Sequence, residues 1–183
     1  TLWSKTDMSN LRLINETTVT SANNISVTDV FSADFDIYNV TVSNLSSDNV
    51  SHSNAYVRLV NSSGSLVTAS NYDFARLDMA GETSFGELRG TNNTYMRYLA
   101  NATDQTPEAT GLVYWFFNPF SSSAYTFVLQ QGSTRIANVF RVGKGIGVLK
   151  QTASMSGFNI GLETTSINMN SGTIRTYGLR VDS

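Results

Sequence analysis

The side chains able to do chemistry are few and scattered. His52 is the single histidine, and it sits in a polar stretch with Ser51, Ser53 and Asn54. A Ser-His-Asp site has to use it, because the imidazole carries the proton there. No nucleophile-elbow pattern accompanies it, so a solvated loop histidine is the better reading. Asp34 and Asp36 are two apart, which puts both carboxylates on one face if the chain is extended. With loop carbonyls such a pair suits Ca²⁺, but the EF-hand spacing is missing and a turn is the plainer reading. Asp73, Asp78, Glu82 and Glu87 offer carboxylate pairs for glycoside hydrolysis, a reaction that needs a defined separation across the sugar. Gly143-Lys144-Gly145-Ile146-Gly147 has the look of a phosphate loop. It lacks the Gly-Lys-Ser/Thr ending, and a strand rather than a helix is expected after it. No catalytic, metal or cofactor site is assigned, and the chain is read as non-enzymatic.

Binding is the other chemistry on offer. Tyr95 and Tyr98 are candidates for stacking on a glycan or for contact with a neighbouring subunit. Leu2 and Trp3 are the apolar residues of an otherwise polar tail, and large aromatics favour interface centres. They are candidate inter-subunit anchors. Asn15, Asn24, Asn39, Asn44, Asn49, Asn61, Asn92 and Asn101 each open an Asn-x-Ser/Thr triplet. Chance explains these in an Asn/Ser/Thr-rich chain better than glycosylation does.

The bulk composition narrows the partners. The chain has 183 residues, 14% of them charged, with a net charge of -2. A nucleic-acid partner calls for clustered Lys and Arg, so none is expected. The absence of cysteine excludes disulfides and thiolate metal sites. No apolar run approaches a helical membrane span, and no membrane partner is expected.

The elements that must position these residues read as strands. Gly111 to Gln130, GLVYWFFNPFSSSAYTFVLQ, is the most aromatic stretch. Leu112, Tyr114 and Phe116 alternate with Val113, Trp115 and Phe117. Both sets are apolar, so cover on both faces is expected. Asn118-Pro119 and Ser121 to Ser123 make the turn, and Tyr125, Phe127 and Leu129 alternate with Thr126, Val128 and Gln130 in a second strand. Further strands are expected at 11–19, 25–31, 35–43, 55–60 and 66–68. The stretch 72–77 fits a short strand or an excursion, and 95–99 fits a strand or one helical turn. Later strands fall at 136–142, 148–149, 158–162, 167–169 and 173–181. Residues 44–54, 80–86, 100–110, 143–147 and 170–172 read as loops or turns. Many short strands without a helical period predict an all-β fold, a single antiparallel β-sandwich, jelly-roll-like, over 11–183. Residues 1–10 form an extended N-terminal tail.

Several motifs occur together in order. Val30 to Val40, VFSADFDIYNV, is followed by the hairpin Tyr56 to Gly64, YVRLVNSSG, and then by Ser70-Asn71-Tyr72. Phe116-Phe117-Asn118-Pro119 lies mid-chain, and Ser171 to Leu179, SGTIRTYGL, near the end. In this order the chain resembles tailed-bacteriophage virion structural proteins of the cyanophage and marine-phage type, with Phe35 where a Tyr is more usual. The resemblance implies a virion location, with capsid or tail proteins and further copies of the chain as partners, and a homotrimer is expected. No coiled-coil shaft is seen, so a compact capsid decoration or tail-associated module is expected. The alternative is a receptor-binding module of a tail fibre or tailspike that recognises host surface polysaccharide.

Overall fold

Alternation builds the structure. Along Thr110–Phe117 every second side chain is buried and the others are half-buried, the pattern a strand gives when its two faces meet different surroundings. The computed structural model describes residues 10–49, 53–81, 85–102, 104, 109–136 and 139–179, which contain no helix. The strands are β1 (Leu11–Thr18), β2 (Asn24–Val27), β3 (Ile37–Ser47), β4 (Ser53–Asn61), β5 (Tyr72–Ala80) and β6 (Phe85–Asn93). They continue as β7 (Met96–Ala102), β8 (Thr110–Phe117), β9 (Thr126–Ile136), β10 (Val139–Leu149), β11 (Met155–Leu162) and β12 (Met169–Leu179).

They form two antiparallel sheets that pack together as a β-sandwich. The large sheet has the order β1-β12-β3-β8-β9-β10-β5-β6 and the small sheet β2-β11-β4-β7. Four pairs nest inside one another: β1 with β12, β2 with β11, β3 with β8 and β4 with β7. Successive pairs alternate between the sheets. The β5–β6 and β9–β10 hairpins widen the large sheet beyond β8.

The core lies between the sheets. Tyr38, Val40, Leu112, Tyr114, Phe116 and Ile174 come from the large sheet, and Ala55, Val57, Leu59, Phe158, Ile160 and Leu162 from the small one. Each Val, Leu, Ile or Phe among them contributes about 1.5–3 kcal/mol on burial. Phe116 and Phe158 stack across the gap with centroids 5.4 Å apart. Polar groups of this layer are tied to backbone. The Tyr72 hydroxyl donates to the Val67 carbonyl at 3.0 Å and accepts from the Leu59 amide at 3.0 Å; burial pushes its pKa up to about 12. The Tyr38 hydroxyl donates to the Ser32 carbonyl at 2.9 Å and accepts from the Ser32 amide at 2.7 Å, which pins the loop before β3.

Several sequence expectations need correction. Gly143 to Gly147 is not a turn: β10 runs unbroken through it. Gly143, Gly145 and Gly147 are buried on the inner face of β10, beneath β7, which crosses that region. Side-chain-free positions there let the two sheets approach. Asn170-Ser171-Gly172 lies inside β12, where two register shifts absorb the extra residues and Gly172 takes φ +145°. The stretch 72–77 is the start of a full strand, and 96–99 open β7 with Tyr95 just before it, a strand and not a helical turn. Residues 85–93, with two glycines and two charged side chains inside them, form an edge strand. The loop expected at 44–54 is shorter, since β3 extends to Ser47 and β4 begins at Ser53. Residues 101–102 complete β7 and Thr110 opens β8.

Candidate interaction surface

Register places the outward side chains of the large sheet in rows. One row reads Leu11, Leu179, Ile37, Phe117, Phe127 and Val148, across β1, β12, β3, β8, β9 and β10. The next reads Leu13, Tyr177, Asn39, Trp115, Leu129, Ile146 and Ala75, and ends on Arg89. Below it lie Thr41, Val113, Gln131, Lys144, Leu77 and Glu87. On the β10–β6 side a further row carries Val142, Met79 and Phe85.

Strand parity explains why this face is apolar. Tyr38, Val40, Tyr114 and Phe116 fill the core, so Ile37, Val113, Trp115 and Phe117 must turn outward. The cover expected on both faces of β8 is therefore not found. No described element packs over the outer side. In β9 it is the apolar set, Phe127 and Leu129, that faces out, while Val128 and Gln130 are buried.

The exposure is large on β9, β10, β5 and β6. Phe85 is 80% exposed, Leu77 58%, Ile146 55% and Phe127 52%, with Met79 and Leu129 near 40% and 38%. At about 200 Å² per large side chain these six leave roughly 600 Å² of apolar surface in water. That is the upper end of what a lone soluble domain exposes in one patch. Trp115, Phe117, Val142 and Val148 are half-buried beside them.

The same face is dimpled where its side chains are small. A depression of about 720 Å³ lies over Thr41, Ser43, Gly111 and Ser133. A second, about 670 Å³, is centred on Ala75 between Leu77, Arg89, Lys144 and Ile146. A third, about 350 Å³, lies between Phe127, Ile146, Val148 and Arg89. Its rim includes Asp73, which pairs with Lys150 at 2.9 Å; the hydrogen bond from Lys150 holds the carboxyl below the ordinary range.

The outer face of the small sheet is different. Tyr95 packs its ring on Tyr56 with centroids 4.9 Å apart. The Arg58 guanidinium lies 4.8 Å from the Tyr56 ring and 5.3 Å from the Tyr95 ring, and its Nε donates to the Thr94 carbonyl at 3.0 Å. Glu163 accepts from Arg97 at 2.7 Å and from the Tyr95 hydroxyl at 3.1 Å. Burial raises the Tyr95 pKa, and the Glu163 carboxylate adds to it. Tyr56 lies flat because its neighbour in β11 is Gly161, where a Cβ would enter the ring. Asn159, fully buried, donates to Asn24 Oδ1 at 3.0 Å and to Ser26 Oγ at 2.9 Å.

Of the binding residues expected from sequence, Tyr95 is thus half-buried in an aromatic and ionic cluster of its own sheet. Tyr98 belongs to β7, but its side chain lies outside the described set. Leu2, Trp3, His52 and Glu82 lie outside the described residues. The remaining acidic candidates do not converge. Asp73 and Glu87 fall on the outer side of the large sheet. Asp78 has the opposite parity and pairs with the largely buried Arg76 at 3.0 Å, whose pKa burial lowers. Asp34 is bound by the Ser32 hydroxyl at 3.2 Å. Among the described residues no three acidic or histidine side chains gather as metal ligands do. Sequence reading missed the outer face of β5 and β6. Its signal was the alternation Ala75, Leu77, Met79, which fits a strand of any orientation.

The fold and this face define a two-sheet all-β module with one apolar side that no described element covers. Compared with known proteins, the chain matches no family model, no curated protein and no solved structure.

Proposed function

We propose that the chain is a non-enzymatic structural module of a tailed-bacteriophage virion, docked on capsid or tail proteins through the outer face of its large sheet. The observation that carries the reading is that face: two rows, apolar but for Asn39, across six and seven strands, with no described element over them. A sheet with two apolar faces finds its free-energy minimum only when a second layer covers it. The ordered motifs from Val30 to Leu179 supply the virion class. The nested pairs support a jelly-roll topology, in which four antiparallel pairs roll up with alternate pairs in opposite sheets. Jelly rolls serve viral capsids and lectins alike, so this support is fold analogy. The experiment is labelling of the chain and electron microscopy of intact particles. Density over the head lattice or at the tail is expected. Particles that lack the chain overturn the reading.

A second reading is recognition of host polysaccharide, favoured by the Tyr56–Tyr95–Arg58 cluster, since sugars stack on aromatic rings. It predicts saturable glycan-array binding that Tyr95→Ala abolishes.

A further inference from the structure

The uncovered face has an internal symmetry that names a partner. Leu77 of β5 lies between Lys144 of β10 and Glu87 of β6 in one row. All three side chains are exposed. Neither Lys144 nor Glu87 has an ion-pair partner among the described residues. One row away Met79 lies between Val142 and Phe85, and in the other direction Ala75 lies between Ile146 and Arg89.

We propose that a second copy of this chain covers the β10–β5–β6 part of the face, related by a two-fold axis that runs along β5. Such an axis keeps each row level and exchanges its two sides. Leu77 then meets Leu77 of the other copy and Met79 meets Met79. Lys144 of each copy falls over Glu87 of the other, so two ion pairs close at once. Phe85 falls over Val142. Ile146 falls over Arg89, whose aliphatic stem covers an apolar side chain while its head stays at the rim. The contact is self-complementary, as a two-fold interface must be.

Charge and area favour this occupant. Lys144 and Arg89 stand opposite in sign to Glu87, and Asp73 is already matched by Lys150, so the patch carries both signs. It therefore neither repels itself nor selects a partner of one sign. Phe85, Leu77, Ile146 and Met79 leave roughly 450 Å² of apolar surface on these three strands, and the stems of Lys144, Glu87 and Arg89 extend it toward the ~800 Å² that each partner of a stable interface contributes. The inference deepens the docking reading by naming one occupant of the face, and it rests on that reading.

The test uses the full chain in solution, by sedimentation equilibrium and light scattering. The wild-type chain is expected at twice its 20.0 kDa mass. Lys144→Glu and Glu87→Lys, each alone, set like charges against each other across the axis and are expected to weaken the dimer at least 10-fold. Mixing the two single variants restores complementary pairs and is expected to yield a heterodimer of wild-type affinity. Leu77→Asp is expected to weaken the dimer about 30-fold or more. These positions are exposed, and an unchanged far-ultraviolet circular dichroism spectrum checks that the variants fold. A monomer or trimer at 0.1 mM overturns the proposal, as does a dimer that Leu77→Asp leaves intact or a mixture that forms no heterodimer. A chain that is monomeric in solution yet found on particles defeats only the two-fold partner. A dimer absent from particles defeats only the virion reading.

Discussion

The two outer faces of this sandwich are built to opposite ends. On the small sheet most polar side chains answer one another, with Asn159 Oδ1 and Arg97 Nε left without a hydrogen-bond partner among the described residues. Glu163 holds both Arg97 and Tyr95, Arg58 caps two rings, and Asn159 is bound by β2. On the large sheet the side chains of β9, β10 and β5 stand as a field of Phe, Leu and Ile in water. Both faces stand on strands of the same kind and share one core. What differs is whether a face completes its contacts inside the chain. The first contributes to stability; the second leaves its free energy to be gained on association.

Four changes break or sharpen that contrast. The largest effect belongs to the self-completed face. Gly161→Val drives two methyl groups into the Tyr56 ring and undoes the stack with Tyr95 and Arg58. A loss of about 3 kcal/mol in urea unfolding is expected. Glu163→Gln follows. It leaves Arg97 without its carboxylate and weakens the bond to Tyr95, for a loss of about 1 kcal/mol in the same measurement.

Acid separates the regions more gently. Asp73 is held below the ordinary carboxylate range by its bond from Lys150, and Asp48 by its bonds from Asn168. Folding therefore keeps these two groups ionised longer than unfolding does. The stability they contribute is present at neutral pH and is lost as pH falls below about 3.9 through the folded values. Lys150→Met is expected to shrink the drop in unfolding midpoint between pH 7 and pH 3.

The smallest change in stability belongs to the uncovered face. Ile146→Thr keeps a β-branched side chain and is expected to alter stability by no more than about 0.5 kcal/mol. It is nonetheless expected to reduce fluorescence of an apolar dye bound to the dilute protein. A loss of several kcal/mol would mean that Ile146 is part of the core.

Much of the fold was legible in the sequence because period-2 alternation is local. Leu112, Tyr114 and Phe116 against Val113, Trp115 and Phe117 fixed β8, and Phe158, Ile160 and Leu162 fixed β11. Alternation says that two faces exist, not which one is buried. That choice depends on which pairs nest and on how the sheets meet, and it turned Val113, Trp115 and Phe117 outward against the expectation of cover. The glycines of β10 misled for a related reason. A glycine read locally signals a turn, whereas Gly143, Gly145 and Gly147 answer a strand from the other sheet. Edge strand β6 was hidden because Gly86, Glu87, Arg89 and Gly90 lack strand character. Of the candidate site residues, Tyr95 was identified as an aromatic of consequence, but Glu163 and Tyr56, its partners, are far away in sequence and carry no motif.

The central claim is that the large sheet's outer face is where this chain meets its partners. Hydroxyl-radical footprinting of the dilute chain against the chain on purified particles tests it most directly. Met79, Phe85 and Phe127 are expected to lose reactivity on the particle, while the half-buried Tyr95 keeps its own. Protection confined to Tyr95, with Met79, Phe85 and Phe127 still reactive, would contradict the account.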